Sequence, residues 1–108
     1  MSAMTLIEHI EVGAGGATSI TFSLIPADYT DLCIQLTARC NNVNRQDIFA
    51  QFNGVGTSTY SMRRLYGTGS GVASDSVSNT STGFRVGRST STADTANTFT
   101  SNTIYIPN

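Results

Sequence analysis

The chain has 108 residues, of which 39% are hydrophobic and only 12% charged, with a net charge of −1; an ordinary soluble domain carries about 25% charged residues. One domain spanning residues 1–108 is expected at this length. Six Arg, no Lys and a pI near 5.6 exclude an electrostatic footprint for nucleic acid, and no apolar run approaches the roughly 20 residues of a membrane span.

Ser, Thr, Gly and Asn replace the missing charges. Low net charge and recurring Ile, Val, Thr, Phe and Tyr argue against disorder and for a β-rich chain. The N-terminus, MSAMTLIEH, has neither a basic region nor an apolar core of the secretory kind, so a product made in the cytoplasm is expected. Ile7 to Val12 then runs into Gly13-Ala14-Gly15-Gly16, which resembles the start of a dinucleotide fingerprint. Such a site needs a third glycine and a helix whose N-terminus holds the pyrophosphate. Thr18 stands at the third position, and TSITFSLI follows with Ile20, Phe22 and Leu24 alternating against Thr21 and Ser23. That spacing predicts a β-hairpin closed by the glycines, and no cofactor.

After the turn-like IPADYTD, in which Asp28 and Asp31 read as a turn or cap pair, LCIQLTARC places Leu32, Ile34, Leu36 and Ala38 on one strand face. Cys33 and Cys40 are an odd number of residues apart and point to opposite faces. At about 3.3 Å per residue they lie roughly 23 Å apart, beyond disulfide reach. DIFAQFNG alternates Ile48, Ala50 and Phe52, and Asn53-Gly54 signals a turn. TYSMRRLY puts Tyr60, Met62, Arg64 and Tyr66 on one face and Ser61, Arg63 and Leu65 on the other. GTGSG at 67–71 is a turn without the Lys that a phosphate-binding loop requires. Small polar residues at 72–82 and 89–102 predict long exposed loops, separated by a strand carrying Phe84 and Val86. A last strand carries Ile104 and Ile106. The whole predicts an all-β, antiparallel β-sandwich, jelly-roll-like, of about six to seven strands. Its core would be Ile20, Phe22, Leu24, Leu32, Ile34, Leu36, Ile48, Phe52 and Ile104.

Chemistry-bearing patterns are sparse. His9 is the one histidine, flanked by Glu8 and Glu11, and no nucleophile elbow accompanies it. One His and two divergent Cys make no zinc site, so no catalytic, metal or cofactor residue is assigned and no enzyme is expected. Asn79-Thr80-Ser81 matches a glycosylation acceptor, which has no use without a secretory route. Arg63 and Arg64 are neighbours on a strand and point oppositely, so they form no joint phosphate clamp; one of them is expected to meet an acid of a neighbouring strand or interface. With Tyr60, Tyr66 and Tyr105 they are the candidate surface contacts. The absence of Lys leaves strand edges without their commonest guard, which points to symmetric association, a trimer first of all.

The run VGAGGATSITFSLIPADYTDLCIQLTAR, then IFAQFNG, YSMRRLYGTGSG and finally IYIPN, resembles in order and spacing a family of tailed-bacteriophage virion proteins. The resemblance spans residues 6–108 and rests on strand and turn phrases. It implies a structural protein of the virion, with other virion proteins as partners and no catalytic residues. A tail-fibre or appendage module showing polar loops to a host glycan or protein is the first expectation. A capsid decoration or head-fibre protein docked on the major capsid protein is the second. An extracellular carbohydrate-binding module is the reading outside that family. Members of the family continue past the IYIPN phrase with further strands, so a strand after Ile106 supplied by a neighbouring chain, or by more of the same one, is expected.

Overall fold

The structure is a computed structural model that describes residues 4–80 and 82–107. Residues 1–3, Ser81 of the possible glycosylation acceptor and Asn108 of the closing phrase lie outside the described residues. Six strands form, with no helix among the described residues: β1 Leu32–Ala38, β2 Asp47–Ala50, β3 Tyr60–Gly67, β4 Val72–Thr80, β5 Phe84–Arg88 and β6 Thr100–Ile106.

The three strand pairs are nested and antiparallel. β3 pairs with β4, β2 with β5 around them, and β1 with β6 outside both. This is one long hairpin folded back on itself, consistent with a small antiparallel β-sandwich. Each ladder is two strands wide. A short parallel bridge, Arg39 to Thr90, extends the connection beyond β1.

Local chemistry explains the turns. Asn53 and Gly54 both take positive φ (51° and 67°), and Val55 N–H donates to Phe52 C=O at 2.9 Å. This is the primed turn that Asn-Gly favours. GTGSG closes the β3–β4 hairpin, with Gly69 at φ 88° and Thr68 N–H donating to Gly71 C=O at 2.9 Å.

Three expectations are corrected. First, GAGG does turn, with Gly16 N–H donating to Gly13 C=O at 3.0 Å, but the runs on either side form no ladder. A two-stranded hairpin is marginal without a surface beneath it, and none covers this one: Ile20 is 42%, Phe22 38% and Leu24 97% exposed. Leu24 also takes φ 55°, which breaks the extended run.

Second, residues 72–80 form strand β4 rather than a loop. Its alternation is of small polar residues, and its register comes from β3, which the glycine turn brings alongside.

Third, no apolar side chain among the described residues is buried. Leu32, Ile34, Leu36, Ile48 and Ile104 are half-buried, and Phe52 is 47% exposed. The expected core is therefore a set of half-covered faces. On β1–β6 the pairs Leu32–Ile106 and Ile34–Ile104 line one face with Leu36, while Cys33–Tyr105, Gln35–Thr103 and Thr37–Ser101 line the other.

The accessible surface is 8538 Å² for a mass of 11.4 kDa. A folded monomer of that mass exposes about 5,800 Å². The radius of gyration, 15.5 Å, likewise exceeds the roughly 13 Å of a self-contained domain of this length.

Candidate functional site

The best-covered part of the chain is polar. Ser89 and Ser91 are 4% and 2% exposed, and they sit where the segment after β5 folds over the end of β1. Arg39, one residue beyond β1, sends its guanidinium under this segment and donates to Thr98 C=O at 2.9 Å, Thr95 C=O at 3.1 Å and Asp94 C=O at 3.3 Å. Carbonyls without ladder partners thereby gain a charged donor.

Ser91-Thr92-Ala93-Asp94 is a Ser-x-x-Asp pattern, familiar from helix starts, and here it closes a single turn. Asp94 Oδ2 accepts from Ser91 N–H at 2.8 Å and from Ser91 Oγ at 3.0 Å. Arg45 clamps the same carboxylate, with Nη2 2.5 Å from Oδ1 and Nε 3.0 Å from Oδ2. The Arg45 hydrogen bond first, then the Ser91 N–H, hold the Asp94 carboxyl well below the usual carboxylate range. The expectation of a freely projecting loop is thus corrected for residues 89–99: this segment is tied down. Thr100–Ile106, also read in part as loop, is β6.

Asp47 forms a second ionic centre beside the β2–β5 ladder. It pairs with Arg85, and Arg88 Nε lies 3.1 Å from Asp47 Oδ1. Asp47 Oδ1 is therefore held by charge alone, and Arg85 Nε is likewise buried without a hydrogen bond among the described residues.

The candidate surface residues separate into different jobs. Arg64 meets Asp75 across the β3–β4 ladder in a bidentate pair, Nε–Oδ1 2.6 Å and Nη2–Oδ2 2.5 Å. Its guanidinium also lies 4.4 Å from the centre of the Tyr66 ring. The Arg64 hydrogen bond holds the Asp75 carboxyl below its ordinary value. Tyr60 is a staple: its hydroxyl accepts from Phe52 N–H at 3.0 Å and donates to Val55 C=O at 2.8 Å, so it fastens the Asn-Gly turn. Its ring tilts against Phe84, which stacks on Phe52 at 5.2 Å. The Tyr105 hydroxyl donates to Asp31 at the entry to β1, and that bond raises the phenol's pKa.

Arg63 differs from the other arginines. It faces away from Arg64, is exposed, and has no carboxylate within ion-pair distance among the described residues. It lines a shallow concavity of about 350 Å³ with Ser61, Met62, Ser76, Val77 and Ser78. A smaller groove of about 170 Å³, bordered by Phe49, Met62, Val77 and Phe84, adjoins it.

The structure therefore brings Arg64 and Tyr66 together, leaves Arg63 open on the opposite face, and uses Tyr60 and Tyr105 to hold loops. Arg39, Arg45, Asp47 and Asp94 were not singled out from sequence. The Ser-x-x-Asp pattern was the available signal for Asp94; nothing local announces Arg39 as its neighbour. No cluster of three or more potential metal ligands occurs among the described residues. Comparison with known protein families, with curated proteins and with solved structures finds no match for this chain.

Proposed function

We propose that this chain is an assembling structural protein, and that the assembly is a tailed-phage particle in which it forms part of a tail fibre or appendage. The observation that carries the assembly is the uncovered surface: 8538 Å², against about 5,800 Å² for a self-contained chain of this mass. Half-covered apolar ladder faces and unguarded edges need other chains, as a homo-oligomer, a trimer first of all, and against other virion proteins. The phage context is supplied by the phrases from VGAGGATSITFS to IYIPN. On this reading the Ser-lined surface around Arg63 is turned outwards, to a host glycan or protein.

Capsid decoration is the second reading, and the tied-down 89–99 segment favours it, because a module that docks needs fewer projecting loops. Labelling of purified particles with an antibody to this chain, viewed by electron microscopy, tests both. Label at the tail appendages supports the first reading and label over the head the second. Particles without label overturn both.

A further inference from the structure

Residues 18–25 have the sequence of a strand and pair with no strand among the described residues. Ile20, Phe22 and Leu24 alternate with Thr21 and Ser23, the pattern that adds to a half-buried sheet edge. In the chain these side chains are 42%, 38% and 97% exposed. Leu24 sits at φ 55°, a conformation disfavoured for a leucine and relieved if the residue is extended.

A matching vacancy lies six residues downstream. β1 pairs only with β6, and no backbone hydrogen bond reaches the other edge of its Leu32–Thr37 stretch among the described residues. The apolar face of β1–β6 ends at Leu32, Ile34 and Leu36. A strand carrying Ile20, Phe22 and Leu24 in step would widen that face by one row.

We propose that residues 18–25 of each copy pair as a strand along the free edge of β1 in a neighbouring copy, so that every copy gives one strand and receives one. The connection Pro26 to Asp31 does not return the segment onto β1 of its own chain, and Tyr105 fastens its far end through Asp31. An opened connection next to an unpaired edge is the geometry of strand exchange between identical chains. The second copy, rather than a foreign partner, follows from fit. Each copy offers both the strand and the edge, and the surface in excess of a self-contained chain, about 2,700 Å², exceeds the roughly 800 Å² per partner that a stable interface buries. The exchange is independent of the phage reading.

Hydrogen exchange of the full chain, resolved by segment and combined with sedimentation, tests it. The oligomer is compared with monomer obtained by dilution or, if it persists, by Phe22→Asp. Amides of 18–25 should exchange at least tenfold more slowly in the oligomer than in the monomer, while the β3–β4 amides stay protected in both. Slow exchange of 18–25 in the monomer would mean pairing within one chain and overturn the proposal. So would fast exchange in the oligomer, or a wild-type chain that is monomeric at every concentration. If Phe22→Asp does not fold, Leu24→Asp, at a side chain 97% exposed in the single chain, supplies the monomer.

Discussion

Replacing Gly83 with Ala should destabilise this chain far more than replacing Gly54, although both glycines have positive φ. Gly83 takes φ 120° and lies immediately before β5, where Ala50 pairs with Phe84. A Cβ there would overlap the Ala50 carbonyl oxygen and stand 3.0 Å from its carbon. The strained backbone costs about 1–3 kcal/mol. Forcing apart β2 and β5 adds about 1–3 kcal/mol and disturbs the Phe52–Phe84 stack. The total, about 2–6 kcal/mol, is a large part of the roughly 5–15 kcal/mol that stabilises a domain. At Gly54 φ is 67° and no atom lies within 4 Å of the position a Cβ would take, so only the conformational penalty of about 1 kcal/mol applies. Urea unfolding followed by far-UV circular dichroism measures both, at one fixed protein concentration because association shifts the midpoint. Equal losses for the two variants would refute the close approach of Gly83 to β2.

The Asp94 clamp predicts a pH dependence. Its carboxyl titrates lower in the folded chain than in the unfolded one, so its contribution is fully present above the unfolded value. That contribution fades as pH falls below roughly 4; Asp75 acts in the same sense. The unfolding midpoint should therefore drop between pH 5 and pH 2 by about as much as these two pairs contribute, Asp94→Asn should flatten that slope, and high salt should weaken it. Arg64→Ala should lower the thermal midpoint, because it strips Asp75 and Tyr66 of their partner, whereas Arg63→Ala should leave it unchanged. Differential scanning calorimetry separates these neighbours. Tyr60→Phe removes both hydroxyl bonds to the Asn-Gly turn and should cost roughly 0.5–1.5 kcal/mol in urea titrations. Faster exchange of the Phe52 and Val55 amides should accompany it.

Strands β1, β2, β3, β5 and the Ile104–Ile106 end of β6 are legible because each sets apolar residues two apart, and the Asn53-Gly54 and GTGSG turns announce themselves. β4 was not, since VASDSVSNT alternates only weakly and owes its extended form to the register with β3. The converse holds at 18–25, where a clear strand pattern has no partner among the described residues. Pattern states what a segment can do, and pairing decides what it does. The same division runs through the polar sites. The spacing of Arg63 and Arg64 foretold their opposite faces, and an acid across the ladder from one of them was expected. Arg39 and Asp94 lie 55 residues apart in sequence, and only the nested pairing that returns the chain beside β1 brings them together.

Sedimentation equilibrium of the full chain over a wide concentration range tests the central claim most directly, namely that its surplus surface is covered by other copies. The claim predicts a species at an integral multiple of 11.4 kDa, with an unfolding midpoint that rises with concentration. A single species of 11.4 kDa, unfolding cooperatively at a concentration-independent midpoint, would contradict it.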